Sequence, residues 1–359
     1  MAPGIAPVAV DAMGGDNAPG AIVQGAIDAA RKGQAVILVG PEERVRAELD
    51  RQRASWNLPV QIRHAPEAVG MDEHPGQAMR RKKASSIRVA LELVRDGEAS
   101  AAVSAGNSGA MMAGAMMVLG CAGGVQRPAI LSVLPAAKGT PVMLDAGANV
   151  DCRPLHLVQF ALMGDVYARR VLGVARPRVA ILSNGEEASK GTVTTRAASA
   201  ALARSGLRFQ GYCEGRDLLL GEIDVVVTDG FTGNVALKTM EGTAQALAGM
   251  MREALRRTLP ARLGSALVKT AIEEIRRRVD WREIGGAPLL GVEGVVVIAH
   301  GASDRRAIAN AVARAADGAR AACTEEIGEA AAVGATLLES ERDEAEVVTG
   351  TRRRRAPEA

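Results

Sequence analysis

Residues 8–19 read VAVDAMGGDNAP, and residues 20–32 continue as GAIVQGAIDAARK. Val8-Ala-Val-Asp11 has the texture of a short buried strand. Gly14-Gly15, Asn17 and Pro19 then punctuate a turn, and from Ala18 to Lys32 the apolar residues recur at helical spacing. Strand, glycine turn, helix is the first half of a βαβ unit. The same cadence continues outward along the chain. Strands are expected at Pro7–Asp11, Ala35–Val39, Ala99–Ser104, Ala129–Leu134, Pro141–Asp145, Arg178–Ser183, Asp224–Thr228 and Gly294–Ala299. Helices are expected between most of them, among others at Ser86–Arg95, Pro154–Leu172 and Thr194–Ser205. Apolar strands alternating with helices predict an α/β fold with a mainly parallel sheet covered on both faces. Pro135-Ala-Ala-Lys-Gly139 breaks the rhythm between two strands and predicts a local antiparallel pair.

Two further segments stand apart. From Gly233 to about Trp281 two amphipathic helices flank a turn at Pro260 and Gly264, which predicts a long αα-hairpin over 233–281. Beyond Glu325 the chain turns acidic and ends in Arg352–Arg355, so 1–325 reads as the main folded domain and 326–359 as a disordered charged tail. Ala99–Gln126 holds no charged residue, yet its six glycines and its scarcity of Leu, Ile and Phe argue for a buried strand, a glycine loop and a buried helix rather than a membrane span.

Composition narrows the function. The 359 residues are 48% hydrophobic and 24% charged, with only 2 Trp, 2 Tyr and 3 Phe. The core must therefore be packed from aliphatic residues, and base-stacking platforms are hard to assemble. A net charge of +3 gives no nucleic-acid field. Cys121, Cys152, Cys213 and Cys323 are scattered without a CxxC pair and read as reduced thiols. Met1–Pro7 lacks the basic and apolar regions of a signal peptide, so the expectation is a cytoplasmic protein.

Six glycine-rich turns follow strand ends: Asp11–Pro19, Ser104–Gly109, Asp145–Asn149, Asn184–Gly191, Thr228–Asn234 and His300–Ser303. Ligands of open α/β sheets bind outside those ends, where free amides and helix N-termini receive anions. No dinucleotide fingerprint, P-loop or nucleophile elbow is present, and His64, His74, His156 and His300 show no zinc spacing. The turns offer Asn, Ser, Thr, one His and Lys190, one of only seven lysines, which suits an oxyanion and a phosphate rather than a metal or a dinucleotide.

At these residues the chain resembles the bacterial acyl carrier protein:phosphate acyltransferases of phospholipid synthesis. The matching stretches are VAVDAMGGDNAP (8–19), RRKKASS (80–86), AVSAGNSGAMMAGA (102–115), RPAI (127–130), LDAGANVDCRP (144–154), SNGEEASKGT (183–192), DVVVTDGFTGNVALK (224–238), and GAPLLGV and AHGAS within 286–303. They run in family order over roughly Val8–Arg320. The resemblance implies transfer of a long-chain acyl group from the acyl carrier protein thioester to inorganic phosphate, giving acyl phosphate for a downstream membrane glycerol-3-phosphate acyltransferase. It also implies a homodimer with a three-layer α/β/α fold akin to isocitrate and isopropylmalate dehydrogenases and to phosphotransacetylase. Phosphate is itself the nucleophile, so neither cofactor nor metal is expected, and catalysis is positioning plus electrostatics.

Residue by residue, Lys190 is expected to stabilise charge, Asn234 to donate a neutral hydrogen bond, and His300 to move a proton or bind phosphate. Asp11, Gly14, Gly15, Asn17, Gly106, Asn107, Ser108 and Asn149 are expected to build the phosphate pocket. Asp145 and Asp229 also read as helix anchors, and Cys152 as a packed thiol. Arg80, Arg81, Lys82 and Lys83 are a candidate patch for the acidic carrier protein. Leu259, Leu263 and Leu267 at the hairpin tip, inside a basic collar, are a candidate for peripheral membrane contact, with dimerisation the competing use of the hairpin. Two other functions stay open: a phosphotransacetylase-like enzyme taking acyl-CoA, and a non-catalytic scaffold recruited to the membrane.

Overall fold

The computed structural model describes residues 6–52, 57–258, 260–261, 264 and 268–348. The chain opens with β1 (Val8–Asp11), α1 (Gly20–Arg31), β2 (Val36–Gly40), α2 (Glu42–Arg51), β3 (Val60–His64), α3 (Pro75–Arg81), α4 (Ser86–Arg95), β4 (Ala101–Ser104) and α5 (Ser108–Val118). It continues with β5 (Ala129–Ile130), β6 (Ser132–Val133), β7 (Val142–Leu144), α6 (Pro154–Arg170), β8 (Arg178–Leu182), α7 (Val193–Leu202), β9 (Arg208–Cys213) and β10 (Val225–Val227). The last elements are α8 (Gly230–Arg257), α9 (Lys269–Val279), α10 (Trp281–Ile284), β11 (Ala287–Leu290), β12 (Val296–Ile298), α11 (Arg305–Ala321) and α12 (Thr324–Val348).

The strands form two sheets rather than the single sheet expected. Seven strands run in the order β3-β2-β1-β4-β12-β11-β5, and five in the order β6-β7-β10-β8-β9. Both are mostly parallel, with antiparallel pairings of β11 to β12 and β5 and of β6 to β7. The single strand read at Ala129–Leu134 is the seam between them. Ala129–Ile130 pairs with β11 in the first sheet. Leu131 then donates its N–H to the Pro288 carbonyl, and Ser132–Val133 pairs with β7 in the second. The first sheet is completed late, because β12 inserts between β4 and β11 after the second sheet has been threaded.

Alternation along the strands supplies the layers. In β1, Val8 and Val10 pack with Ile22 and Ile27 of α1 and Ile308 and Val312 of α11. Ala9 faces the opposite side, with Met79 of α3, Leu91 of α4 and Met111 of α5. In the second sheet Val142, Leu144, Val225 and Val227 pack against Phe160 and Met163 of α6. Its other face, through Met143, Ala180 and Val226, is half-covered by Ala236, Leu237 and Met240 of α8.

One expectation at the C-terminal side needs correction. The tail expected to be disordered from 326 begins as α12, because Ile327 and Ala331 recur at helical spacing and are buried against α6. Glu326 adds ion pairs to Arg169 and Arg170 at 2.8 and 3.1 Å. Residues 349–359 lie outside the described residues. The segments read as a hairpin are occupied by α8 and α9, with α8 starting at Gly230 and Leu247, Met250 and Met251 exposed along it. The tip residues Leu259, Leu263 and Leu267 lie outside the described residues.

Candidate active site

The turns after β1, β4 and β12 are assembled into one cluster, in which Asp11 at the end of β1 is fully buried. Its Oδ1 accepts from the Met13 amide at 3.0 Å and its Oδ2 from the Ser104 hydroxyl at 2.6 Å. Ser104 Oγ in turn accepts from the Gly106 amide at 3.0 Å. Asp11 therefore ties the first glycine turn to the second, and burial pushes its carboxyl above the usual range despite those donors. The two turns meet backbone to backbone. A Cβ on Gly14 would stand 2.4 Å from Asp11 Oδ2 and 2.6 Å from the Gly106 nitrogen. Gly15 has φ +98°, a conformation that glycine adopts without strain.

The polar side chains expected in this pocket are largely spent on the protein itself. Asn17 donates through Nδ2 to the Ser303 carbonyl at 3.2 Å, pinning the β12–α11 turn. Asn107 caps α5 by accepting from the Ala110 amide, while its Nδ2 donates to the carbonyls of Gly70, Met71 and Glu73. Ser108 is exposed at the first turn of α5, where helix geometry leaves amides without intrahelical partners. His300 is exposed, and its Nδ1 accepts from the Ala302 amide at 3.1 Å, so the neutral ring carries its proton on Nε2. This cluster presents outward backbone amide, Ser108 and the His300 imidazole, together with the exposed Asp16 and Asn17 of the first turn.

The turns after β7, β10 and β8 form a second cluster on neighbouring strands, about 4.8 Å apart. Its foundation is Asp145, also fully buried. Oδ1 accepts from the amides of Ile130, Gly147 and Ala148 at 3.0–3.1 Å. Oδ2 accepts from the Asn149 amide at 2.6 Å and its side chain at 2.8 Å. Burial again raises the carboxyl above its usual range, against those donors. Asn149, expected to reach phosphate, is buried, and its remaining Nδ2 hydrogen bond goes to the Pro128 carbonyl. The start of α8 presses on this loop so closely that a Cβ on Gly233 would stand 2.0 Å from the Asp145 carbonyl oxygen. Asp229 caps α8 by accepting from the Thr232 amide and hydroxyl, both at 2.8 Å.

Over this base stand two uncommitted side chains. Asn234 is exposed, beside Gly147. Lys190 is half-buried in the β8–α7 loop, its stem against Gly185, and among the described residues its Nζ has no hydrogen-bond or ion-pair partner. Cys152 lies in the β7–α6 loop, its Sγ donating to the Asn149 carbonyl at 3.7 Å, and burial pushes its thiol up to about 12, which leaves it protonated and a poor nucleophile. The Ile130 amide on Asp145 joins this cluster to the last strand of the first sheet. Among the described residues no group of three His, Cys, Asp or Glu side chains could hold a metal ion.

Lys82 departs from its reading as a docking cation. Its ammonium is bound to the Ala68 carbonyl and to Glu73, leaving Arg80, Arg81 and Lys83 exposed. Ser104 and Ser303 were not singled out in the sequence. Ser104 relays Asp11 to Gly106, and the Ser303 hydroxyl is buried without a hydrogen-bond partner among the described residues. Ser104 ends an expected strand and Ser303 closes the glycine turn after another, the one signal that marked them.

Comparison with known proteins places these loops in a lineage. The fatty acid synthesis protein family matches residues 6–326. A phosphate acyltransferase of Anaeromyxobacter sp. (strain K) is 64% identical over 354 residues, covering 98% of each chain. One from Myxococcus xanthus is 55% identical, covering 90% of this chain and 94% of the relative. Among solved structures, a phosphotransacetylase from Streptococcus pyogenes superposes with a TM-score of 0.60 at 17% identity, covering 88% of this chain and 94% of that one. A branched-chain phosphotransacylase from Enterococcus faecalis gives 0.52 at 13%, covering 87% and 99%. At such identities the structural likeness speaks to fold alone.

Proposed function

This chain belongs to the phosphate acyltransferases, enzymes of fatty acid and phospholipid synthesis, and from that premise we propose that it moves a long-chain acyl group from acyl carrier protein to inorganic phosphate through the two loop clusters together. Phosphate rests against the Gly14-Gly15 and Gly106 backbones and on the amides of Gly15 and Ser108, where helix N-termini and glycine turns favour an anion. A phosphate oxygen attacks the thioester carbonyl, the carbonyl oxygen becomes an oxyanion, and the carbon–sulfur bond breaks to release the carrier thiolate with acyl phosphate as the product. Lys190 and Asn234 stabilise the oxyanion, and His300, through Nε2, orients phosphate and delivers a proton to the leaving thiolate.

The observation that carries this reading is Lys190, an ammonium without a partner among the described residues, on the loop after β8, whose neighbouring strand β10 leads into the helix that carries the exposed Asn234. A cation left unpaired at strand ends is available for charge that develops only during reaction. The test is phosphate-dependent release of free carrier protein, with acyl phosphate trapped by hydroxylamine. Equal turnover on acyl-CoA would favour the phosphotransacetylase-like reading instead.

A homodimer in contact with the membrane surface accompanies this proposal. Among the described residues no helix is long and apolar enough to cross a bilayer. Support for surface contact comes from the exposed Leu247, Met250, Met251 and Val268, and from nine Lys or Arg against five Asp or Glu between Arg252 and Glu283. Liposome flotation of Leu263→Glu tests it. A monomeric variant would assign the apolar tip to the dimer interface.

A further inference from the structure

A cavity of about 570 Å³ opens between the C-terminal end of α6, the short α10 and α11, and it has no part in the proposed reaction. Its walls combine Val171, Leu172, Ile284 and Ala321 with three arginines, Arg170, Arg314 and Arg320. That volume is within the range of small-molecule sites.

The arginines are not equivalent. Arg170 pairs with Glu326 at 3.1 Å and Arg320 with Asp317 at 2.6 Å. Glu283, the other acid of the wall, is paired with Arg306. Arg314 is half-buried and has no carboxylate partner among the described residues. It donates through Nε to the Ile284 carbonyl at 2.6 Å and through Nη1 to the Tyr167 hydroxyl at 3.3 Å. Two neutral acceptors hold the guanidinium in place without neutralising it. A guanidinium has five N–H donors, so an edge remains for a forked contact to a carboxylate or phosphate.

We propose that this cavity is a binding site for an aliphatic anion, with a carboxylate or phosphate head on Arg314 and a carbon chain along Val171, Leu172, Ile284 and Ala321. A fatty acid and an acyl or alkyl phosphate share that chemistry. The inference rests on the proposed function only in choosing an acyl-like probe. The cavity and its unpaired cation stand apart from the strand-end loops.

Isothermal titration of the full chain with octanoate, octyl phosphate, octanol and inorganic phosphate tests it. Either amphiphilic anion should bind at least tenfold more tightly than octanol, and the tighter of the two names the head group. Ala313→Trp puts bulk on an exposed wall position and should weaken that binding at least tenfold, as should Arg314→Gln. Because Arg314 also braces Ile284 and Tyr167, Ala313→Trp is the variant that keeps the question open to an answer if Arg314→Gln fails to fold. Lys190→Ala should keep the binding, since that residue lies in the other site. Octanol binding as tightly as octanoate, binding untouched by Ala313→Trp, or binding lost in Lys190→Ala would each overturn the proposal. Loss in Lys190→Ala would place the anion at the strand-end loops, whereas failure of the proposed acyl transfer would appear only in the turnover assay.

Discussion

The two loop clusters begin alike and end differently. Each opens with Asp-Ala at the end of a strand, Asp11-Ala12 and Asp145-Ala146, and each aspartate is buried to completion. Among the described residues Asp145 gathers three amides and one carboxamide from its own loop, with the Ile130 amide the only distant donor. Asp11 has fewer donors, and one of them, Ser104, lies 93 residues away. The first cluster spends Asn17 and Asn107 on its own carbonyls and presents backbone. The second satisfies its loop through Asp145 and leaves Lys190 and Asn234 uncommitted. A buried carboxylate that organises a loop by itself frees the neighbouring side chains for chemistry.

The contrast can be broken most directly at Asp145. Asp145→Ala strands several buried donors and should destabilise the protein by about 3–5 kcal/mol. Thermal unfolding reads this out, and a shift of only a degree or two would show that the loop holds itself. Lys190→Ala should lower kcat for acyl phosphate formation by about tenfold to a thousandfold at unchanged melting temperature. Wild-type turnover in that variant would remove Lys190 from the mechanism. Asn107→Ala should show the opposite pattern, losing about 1–2 kcal/mol of stability from the cap and its carbonyl bonds. Its KM for phosphate should rise more than its kcat falls.

Asp11 sharpens the comparison through pH. A carboxyl whose pKa is raised on folding holds its proton in the native state after the unfolded chain has released it. Stability therefore falls as pH rises from near 3.8, the ordinary value for aspartate, toward the native pKa. Asp11→Asn should flatten that part of the stability curve, and chemical denaturation at stepped pH measures it. An unchanged slope would assign the pH dependence to other groups. The smallest effects are expected in the basic run. Arg81→Glu should raise KM for carrier protein a few-fold at low salt, whereas Lys82→Ala should lower the melting temperature slightly through loss of its pair with Glu73 and leave that KM unchanged. A salt-sensitive KM change in Lys82→Ala would return that residue to the docking surface.

What the sequence made legible follows the same divide between local and distant. The central strands β1, β2, β4, β7, β8, β10 and β12 are short apolar runs next to glycine turns, and their pattern is complete within a few residues. β3, with Gln61, Arg63 and His64, and β9, with Arg208 and Gln210, lie at sheet edges, where polar residues blur the run. The division into two sheets turns on Leu131, whose amide bonds to Pro288, 157 residues later, and no local pattern encodes that. Lys190 stood out as one of only seven lysines, set in a glycine turn, whereas Asn234 was one of several asparagines in such turns. The internal duties of Asn17, Asn107 and Asn149 were hidden, because the carbonyls that use them come from Ser303, from Gly70 to Glu73 and from Pro128.

The late arrival of β12 has a consequence for the birth of the chain. β4 ends at Ser104 and is wholly buried, yet its neighbour on one side is not synthesised until Val296. At about 5–20 residues per second, a ribosome needs roughly 10–40 s to cover that interval. Throughout it, the growing chain displays an apolar strand edge within Ala99–Gln126, a run that carries no charge to discourage a second nascent chain from pairing there. Slower translation between these two strands lengthens that exposure, and chaperone occupancy of the half-made polypeptide should peak in the same window.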